Sequence, residues 1–286
     1  MLTVETSQKK NYDARDASWK PGEKAVCNIV IFENHIVEVV FDTERQRFVS
    51  LFAAETSGNE TDKFSLFSER FSNINPSISK RNIFLSVPKT MLIPNALYEK
   101  ENRKSYFENQ HKIEPGETLG DFPVKMIEAQ MAYLYPDSLS HLNDKVSLPN
   151  SNLIPLDAAW LEVLSMTHKN IDQVNFHFNI SDGFISVAVF KEGGLKFYNT
   201  FETATPEEVL YFVMFVSEQL RVNPLTDPYY YSGFILRTDE TYNLLSKYIK
   251  LLKPEKRPAA FSYSMPVLDI PGYMFFNAFC TPICES

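Results

Sequence analysis

The side chains able to do chemistry are few and scattered. Toward its end the chain reads Cys280-Thr281-Pro282-Ile283-Cys284. Structural zinc takes four ligands, and no second Cys or His pair stands at metal spacing. A thioredoxin-type redox pair is separated by two residues, one fewer than here. With Cys27, these read as ordinary thiols, whose reduced state fits the cytoplasm. A redox or metal role for Cys280 and Cys284 stands as a third, minor reading. His35, His111, His141, His168 and His177 are dispersed, and His177 falls in a strand pattern, where a core or edge histidine is expected. The sequence has neither a Gly-x-Ser-x-Gly nucleophile elbow nor a GxxxxGK[ST] phosphate loop. Asp137 and Asp144 could exchange protons, but they lie in a polar stretch where carboxylates are usually just solvated. Tyr229-Tyr230-Tyr231 could stack on a base or sugar, yet strand alternation sets Tyr230 opposite its neighbours.

The elements that would hold these residues are clearer than the chemistry. Ile36–Phe52 (IVEVVFDTERQRFVSLF) and Ile185–Phe201 (ISVAVFKEGGLKFYNTF) align at an offset of 149, with five identities in seventeen: Ile36/Ile185, Val40/Val189, Phe41/Phe190, Phe48/Phe197 and Phe52/Phe201. Two similar units so far apart suggest a duplicated domain. In the first half, Ala25–Val40 reads as two strands about the Glu33-Asn34-His35 turn, and Arg47–Ala53 as a third. A helix over Asp62–Ser72, a strand at Asn82–Val87, a Glu/Lys-rich helix over Pro94–Asn109 and a strand at Met126–Leu134 follow. The next helix runs from Pro155 to Met166, with Leu156, Trp160, Leu161 and Leu164 on one side.

The second half repeats that order. Val174–Ile180 and Phe184–Phe190 flank Asp182-Gly183, a strong hairpin signal. Leu195–Phe201 is the third strand. Thr205-Pro206-Glu207-Glu208 opens a helix with a capping box, in which Thr and Glu each satisfy a free amide. Its apolar residues cover much of its circumference, so burial between the sheet and another element is expected. Tyr229–Leu236 reads as a strand, Asp239–Leu252 as an amphipathic helix and Ala259–Leu268 as a fifth strand, before an apolar, irregular tail. Residues 1–22 are polar and without period, and read as a loose arm. Residues 23–153 and 154–286 read as the two halves.

Composition narrows the function. The 286 residues are 44% hydrophobic and 22% charged, the balance of a soluble chain with a real core. Net charge is −8, which opposes nucleic-acid binding. The densest basic cluster, Lys250, Lys253, Lys256 and Arg257, fits a helix C-terminus instead. Nine glycines are few for phosphate loops. The first residues show no secretory h-region, and the longest apolar run, Val209–Val216, is too short to span a membrane. A cytoplasmic location is expected.

The order strand-strand-strand-helix-strand-helix-strand, used twice, resembles the actin-like ATPase superfamily with its ribonuclease H-like halves. Ser86–Glu101 (SVPKTMLIPNALYEKE) and Leu195–Leu220 (LKFYNTFETATPEEVLYFVMFVSEQL) resemble the bacterial family called domain of unknown function 3822. The resemblance implies an α/β chain of duplicated ribonuclease H-like halves in an actin-like ATPase architecture, with mixed sheets flanked by helices. It implies no activity.

In active members, the turn between the first two strands of each half holds nucleotide phosphates, with Asp-x-Gly-x-x-Thr as a typical form. Backbone amides cradle the phosphates and the carboxylate manages metal and water. Here the first turn offers Glu33 with neither glycine nor hydroxyl. The second keeps Ser181, Asp182 and Gly183, a set any hairpin could carry. The glycine-bearing strand near the adenosine is matched by Gly233, followed by Phe234 rather than a second glycine. Glu33, Ser181, Asp182, Gly183 and Gly233 are thus the nucleotide-site candidates the resemblance implies.

Two half-lost loops predict that hydrolysis is gone. The expected function is a non-catalytic scaffold or interaction protein with a protein partner, since several bacterial actin-like relatives serve as cytoplasmic platforms for membrane-associated machinery. No cofactor is expected. The alternative is a degenerate ATPase or sugar-kinase relative binding ATP and magnesium in the cleft between halves.

Overall fold

The computed structural model describes residues 11–20, 24–56, 65, 78, 80–140 and 153–285. The helix expected over Asp62–Ser72 (Ser65 apart), His141 and Asp144 lie outside them. The first sheet is built around a meander of β2 (Ala25–Ile31), β3 (His35–Asp42) and β4 (Arg47–Glu55). β2 is buried at every position and β3 at all but His35. That near-continuous apolar run belongs to a sheet covered on both faces. β1 (Tyr12–Arg15) adds antiparallel to β4, so part of the expected loose arm is a strand; Trp19 Nε1 beyond it donates to Asp42 at 3.0 Å. β5 (Lys80–Leu85) runs parallel to β2.

The chain then leaves this sheet. β6 (Thr90–Pro94), β7 (Glu117–Val124) and β8 (Ala129–Pro136) form a separate three-stranded sheet in the order β6-β8-β7. It packs Ile93, Ala132 and Leu134 on Phe107 of α1 (Arg103–Glu108). The expected helix Pro94–Asn109 is thus only its last turns; Pro94 ends a strand, and 3-10 turns fill Asn95–Leu97 and Lys100–Asn102. Asn95 N–H is held instead by Glu128 C=O at 2.8 Å, which anchors the segment to the hairpin rather than to a helix. A short α2 (Asp137–Ser140) follows β8. β9 (Leu153–Pro155) returns to pair with β5, giving the order β1-β4-β3-β2-β5-β9.

α3 (Leu156–His168) is next, and it has almost no outward side. Apart from Met166 and Thr167 every residue is buried, including Asp157, Glu162 and His168. The carboxylate of Glu162 accepts the backbone N–H groups of Lys125 and Met126, the latter at 3.0 Å. The polar residues of this helix are therefore used internally.

The second sheet contains β10 (Asn175–Ser181), β11 (Phe184–Lys191), β12 (Gly194–Glu202), β13 (Tyr229–Gly233) and β14 (Leu252–Pro254), in the order β12-β11-β10-β13-β14. Like the first, it is an antiparallel meander extended by parallel strands. Both meanders carry a register irregularity at matching positions, Val40/Phe41 and Val189/Phe190, again 149 apart. Helices α4 (Pro206–Leu220) and α5 (Glu240–Tyr248) cover one face, and α4 opens with the expected capping box on Thr205 and Glu208.

The tail does not give the expected strand Ala259–Leu268. Only β15 (Ser262–Tyr263) is extended, and it pairs with β4 of the first sheet. Pro266 in the first turn favours α6 (Met265–Leu268), and α7 (Phe276–Cys280) lies buried on β3 and α3. No helix among the described residues is long and apolar enough to cross a membrane.

The two ends of α3 hold groups with opposed titrations. Burial raises Asp157 from 3.8 to about 6, against hydrogen bonds from Ser186 and Tyr198 that lower it. Burial, then the neighbouring His177, depresses His168 from 6.5 to about 4. The stabilisation from Asp157 is greatest below pH 4 and is lost, by about 3 kcal/mol, as pH rises through 6. The stabilisation from His168 is complete above pH 6.5 and is lost as pH falls toward 4. In melts between pH 4 and 6.5, Asp157→Asn should flatten the loss toward neutral and His168→Phe the loss toward acid. Parallel slopes in the two variants would refute these assignments.

Candidate functional site

The two meanders end in turns that meet. In the first, Phe32 N–H donates to His35 C=O at 2.9 Å and closes the turn about Glu33 and Asn34. In the second, Ser181 pairs with Phe184 across Asp182 and Gly183, and Gly183 takes the left-handed conformation (φ 77°) that glycine adopts without strain. Asp182 reaches out of its own turn into the other. One of its oxygens accepts the Asn34 backbone N–H at 2.7 Å and lies 3.0 Å from His35 Nδ1. The carboxylate is only 11% exposed, so this contact is largely shielded from water.

Aromatic rings fill the flank of this junction. His35 stacks on Phe234 at 4.2 Å between centroids, and Phe32 meets the same ring edge-on at 4.8 Å. Phe234 is aimed there by Gly233, whose φ is 94°. A β-carbon at Gly233 would stand 2.0 Å from Ile180 C=O. The same carbonyl accepts Phe234 N–H at 2.9 Å, while Gly233 N–H donates to Tyr273 C=O at 2.9 Å.

A second link joins the sheets beside the first. Ser232 Oγ donates to Asn179, Asn179 Nδ2 donates to Ser181 Oγ at 3.1 Å, and Ser181 Oγ lies 3.2 Å from Ser86 Oγ, just past β5. Of the five candidates, Ser181, Asp182 and Gly183 therefore sit at the junction of the turns. Glu33 joins them, with Oε2 3.5 Å from where a Gly183 β-carbon would stand. Gly233 supports the flank. Sequence reasoning passed over Asn34, His35 and Phe234, whose roles depend on contacts between the two sheets.

It also missed a buried polar cluster at the start of α3. Asp157 accepts from Ser186 Oγ at 2.5 Å and from Tyr198 OH at 2.8 Å, and Tyr198 OH lies 2.7 Å from Thr90 Oγ1. The signal was a carboxylate one residue inside an apolar helix. This cluster ties the second sheet to β6 of the small one.

The other chemical candidates are absorbed by structure. His177 Nδ1 bonds Glu255, and its ring stacks on Tyr230 at 5.0 Å and lies 4.7 Å from His168. Tyr229 and Tyr231 are buried, and Tyr230 faces the other way, as the alternation predicts. Asp137 accepts from Thr118 Oγ1. Cys280 is fully buried, and burial, reinforced by Glu255, raises its thiol, so it is held away from the reactive thiolate. Among the described residues no group of three or more His, Cys, Asp or Glu is placed to hold a metal ion.

A family model described as protein of unknown function (DUF3822) matches residues 28–252. A Bacteroides thetaiotaomicron protein of unknown function with an actin-like ATPase fold superposes with a TM-score of 0.72, at 19% identity, over 82% of this chain and 91% of that one. A PilM-PilN type IV pilus biogenesis complex superposes with a TM-score of 0.58, at 11% identity, over 93% and 100%. No curated protein matches the chain in sequence. The architecture is therefore the actin-like ATPase fold.

The conformation at Gly233 is the most demanding in the site. Gly233→Ala should lower the thermal midpoint steeply or yield insoluble protein, because the methyl group meets backbone rather than a movable side chain. Gly194→Ala, with nothing within 4 Å, should change stability by no more than about 0.5 kcal/mol. Similar melting curves for the two would show that the end of β13 is free to relax.

Proposed function

The chain belongs to the DUF3822 family of unknown function, and from that premise we propose that it is a non-catalytic, actin-like interaction protein. In this reading the cleft is held closed by the chain's own side chains. One observation carries it: the Asp182 carboxylate bonds the Asn34 amide and His35 across the junction of the two turns. A phosphate cradle works through free backbone amides that converge on an anion. Here an anion of the protein already occupies such an amide, and a nucleotide phosphate would meet it as a like charge. Phe32, His35 and Phe234 close the flank where a nucleoside would need room. The residues present do not fit ATP with magnesium.

The matched connectivity and paired irregularities of the two sheets support reading them as duplicated halves. A similar fold occurs in a complex with a protein partner, the PilM-PilN assembly, which supports a partner-binding role here. We place that role in the cytoplasm, in keeping with a sequence whose three cysteines are too few for a disulfide framework. The alternative, a degenerate ATPase or sugar-kinase relative, draws on the gathering of Glu33, Ser181, Asp182 and Gly183 at one point.

Calorimetric titration of the full chain with ATP and magnesium separates the two. No binding heat is expected at about 1 mM nucleotide, a regime in which even weak sites register. Micromolar binding that Asp182→Ala abolishes would overturn the reading in favour of the nucleotide-binding alternative.

A further inference from the structure

Helix α4 was expected to be buried on two sides, because Val209, Leu210, Phe212, Val213, Phe215, Val216 and Leu220 surround much of it. Only one side is. Val209, Val213 and Val216 pack on the second sheet together with Leu245 of α5. On the opposite side Tyr211 is 60% and Phe215 42% exposed, their rings nearly parallel at 16° and 6.0 Å apart. With Leu210, Met214, Pro224 and Tyr248 they line an open apolar groove of about 600 Å³. A soluble helix that is apolar on both faces normally has both covered.

The lining also carries charge of one sign. Glu207 and Glu218 belong to it, and no lysine or arginine does. Eleven residues apart on one helix, they stand about 16 Å from each other along its axis, with the aromatic pair between them. That spacing matches about three turns of a second helix lying in the groove. A second copy of this chain would bring the same two carboxylates, on a molecule of net charge −8, against the first pair. An anionic membrane would meet the same repulsion.

We propose that the α4 groove docks an amphipathic helix of a partner protein, with an apolar face for Tyr211, Met214 and Phe215 and basic residues for Glu207 and Glu218. This deepens the interaction-protein reading above and rests on it.

The test uses the full chain and two labelled fourteen-residue peptides with the same leucine- and isoleucine-rich face. One carries lysine at its first and twelfth positions, the other glutamate. Fluorescence anisotropy should show micromolar binding of the lysine peptide and at least tenfold weaker binding of its twin. Glu207→Lys with Glu218→Lys should reverse the preference, and Tyr211→Ser with Phe215→Ser should abolish binding of both peptides. If the serine pair disturbs folding, the charge reversal alone decides. Equal binding of the two peptides, or binding of neither, would overturn the proposal. So would self-association that the serine pair removes, or co-sedimentation with vesicles of anionic phospholipid. The nucleotide titration on the same preparation reads the cleft and not the groove. Absent peptide binding with absent nucleotide binding therefore defeats only the groove, whereas nucleotide binding defeats the underlying reading.

Discussion

The structure depends on the burial of Leu156–His168. A helix with two exposed residues in thirteen cannot serve as the outer layer of one sheet; it must be enclosed by several elements. Here it touches β7, β9, β11 and β12 together with the tail. Trp160, Leu161 and Leu164 share one continuous core with Val37 and Val39 of the first sheet and Ala188 and Phe190 of the second. Its polar residues follow suit, since a buried carboxylate must find donors nearby. Glu162 takes the adjacent backbone amides of Lys125 and Met126, and Asp157 the hydroxyls of Ser186 and Tyr198.

This shared core fixes how closely the sheets approach, and so what happens where their turns meet. At that distance Asp182 reaches the Asn34 amide directly, and Ser181 reaches Ser86. The aromatic contacts among Phe32, His35 and Phe234 complete the closure. The space where the two turns meet is thus spanned by short, partly shielded contacts. The unfilled apolar surface lies elsewhere, on the outward side of α4.

Much of the fold was legible because its determinants are local. The meander strands have long β-branched runs and tight turns, and the start of α4 announces itself through Thr205 and Glu208. What was missed lacks local signals. β7 contains Gly120, Asp121 and Pro123 and is only partly buried, so it shows neither alternation nor a continuous apolar run. The Glu- and Lys-rich stretch after Pro94 has helical propensity, but a cross-connection from Asn95 to Glu128 overrides most of it. The site divides in the same way. The Asp182-Gly183 turn could be seen because a hairpin needs such residues. The contact of Asp182 with Asn34 could not, because it joins positions 148 apart and follows only from the shared core.

Two short strands far apart in the chain both lie against β4, one beginning at Tyr12 and the other ending at Tyr263. Asn28, in the middle of β2, donates to Thr281, 253 residues later. During synthesis the first sheet therefore emerges with its covering segment still unmade. At about 5–20 residues per second, its strands wait on the order of ten seconds or more for α7 and Thr281 to arrive. Until then the face that Phe279 and Cys280 will cover is open to water and to other chains. A fold of such long-range closure is slow by topology, and its period of greatest exposure falls on the ribosome rather than in the finished molecule.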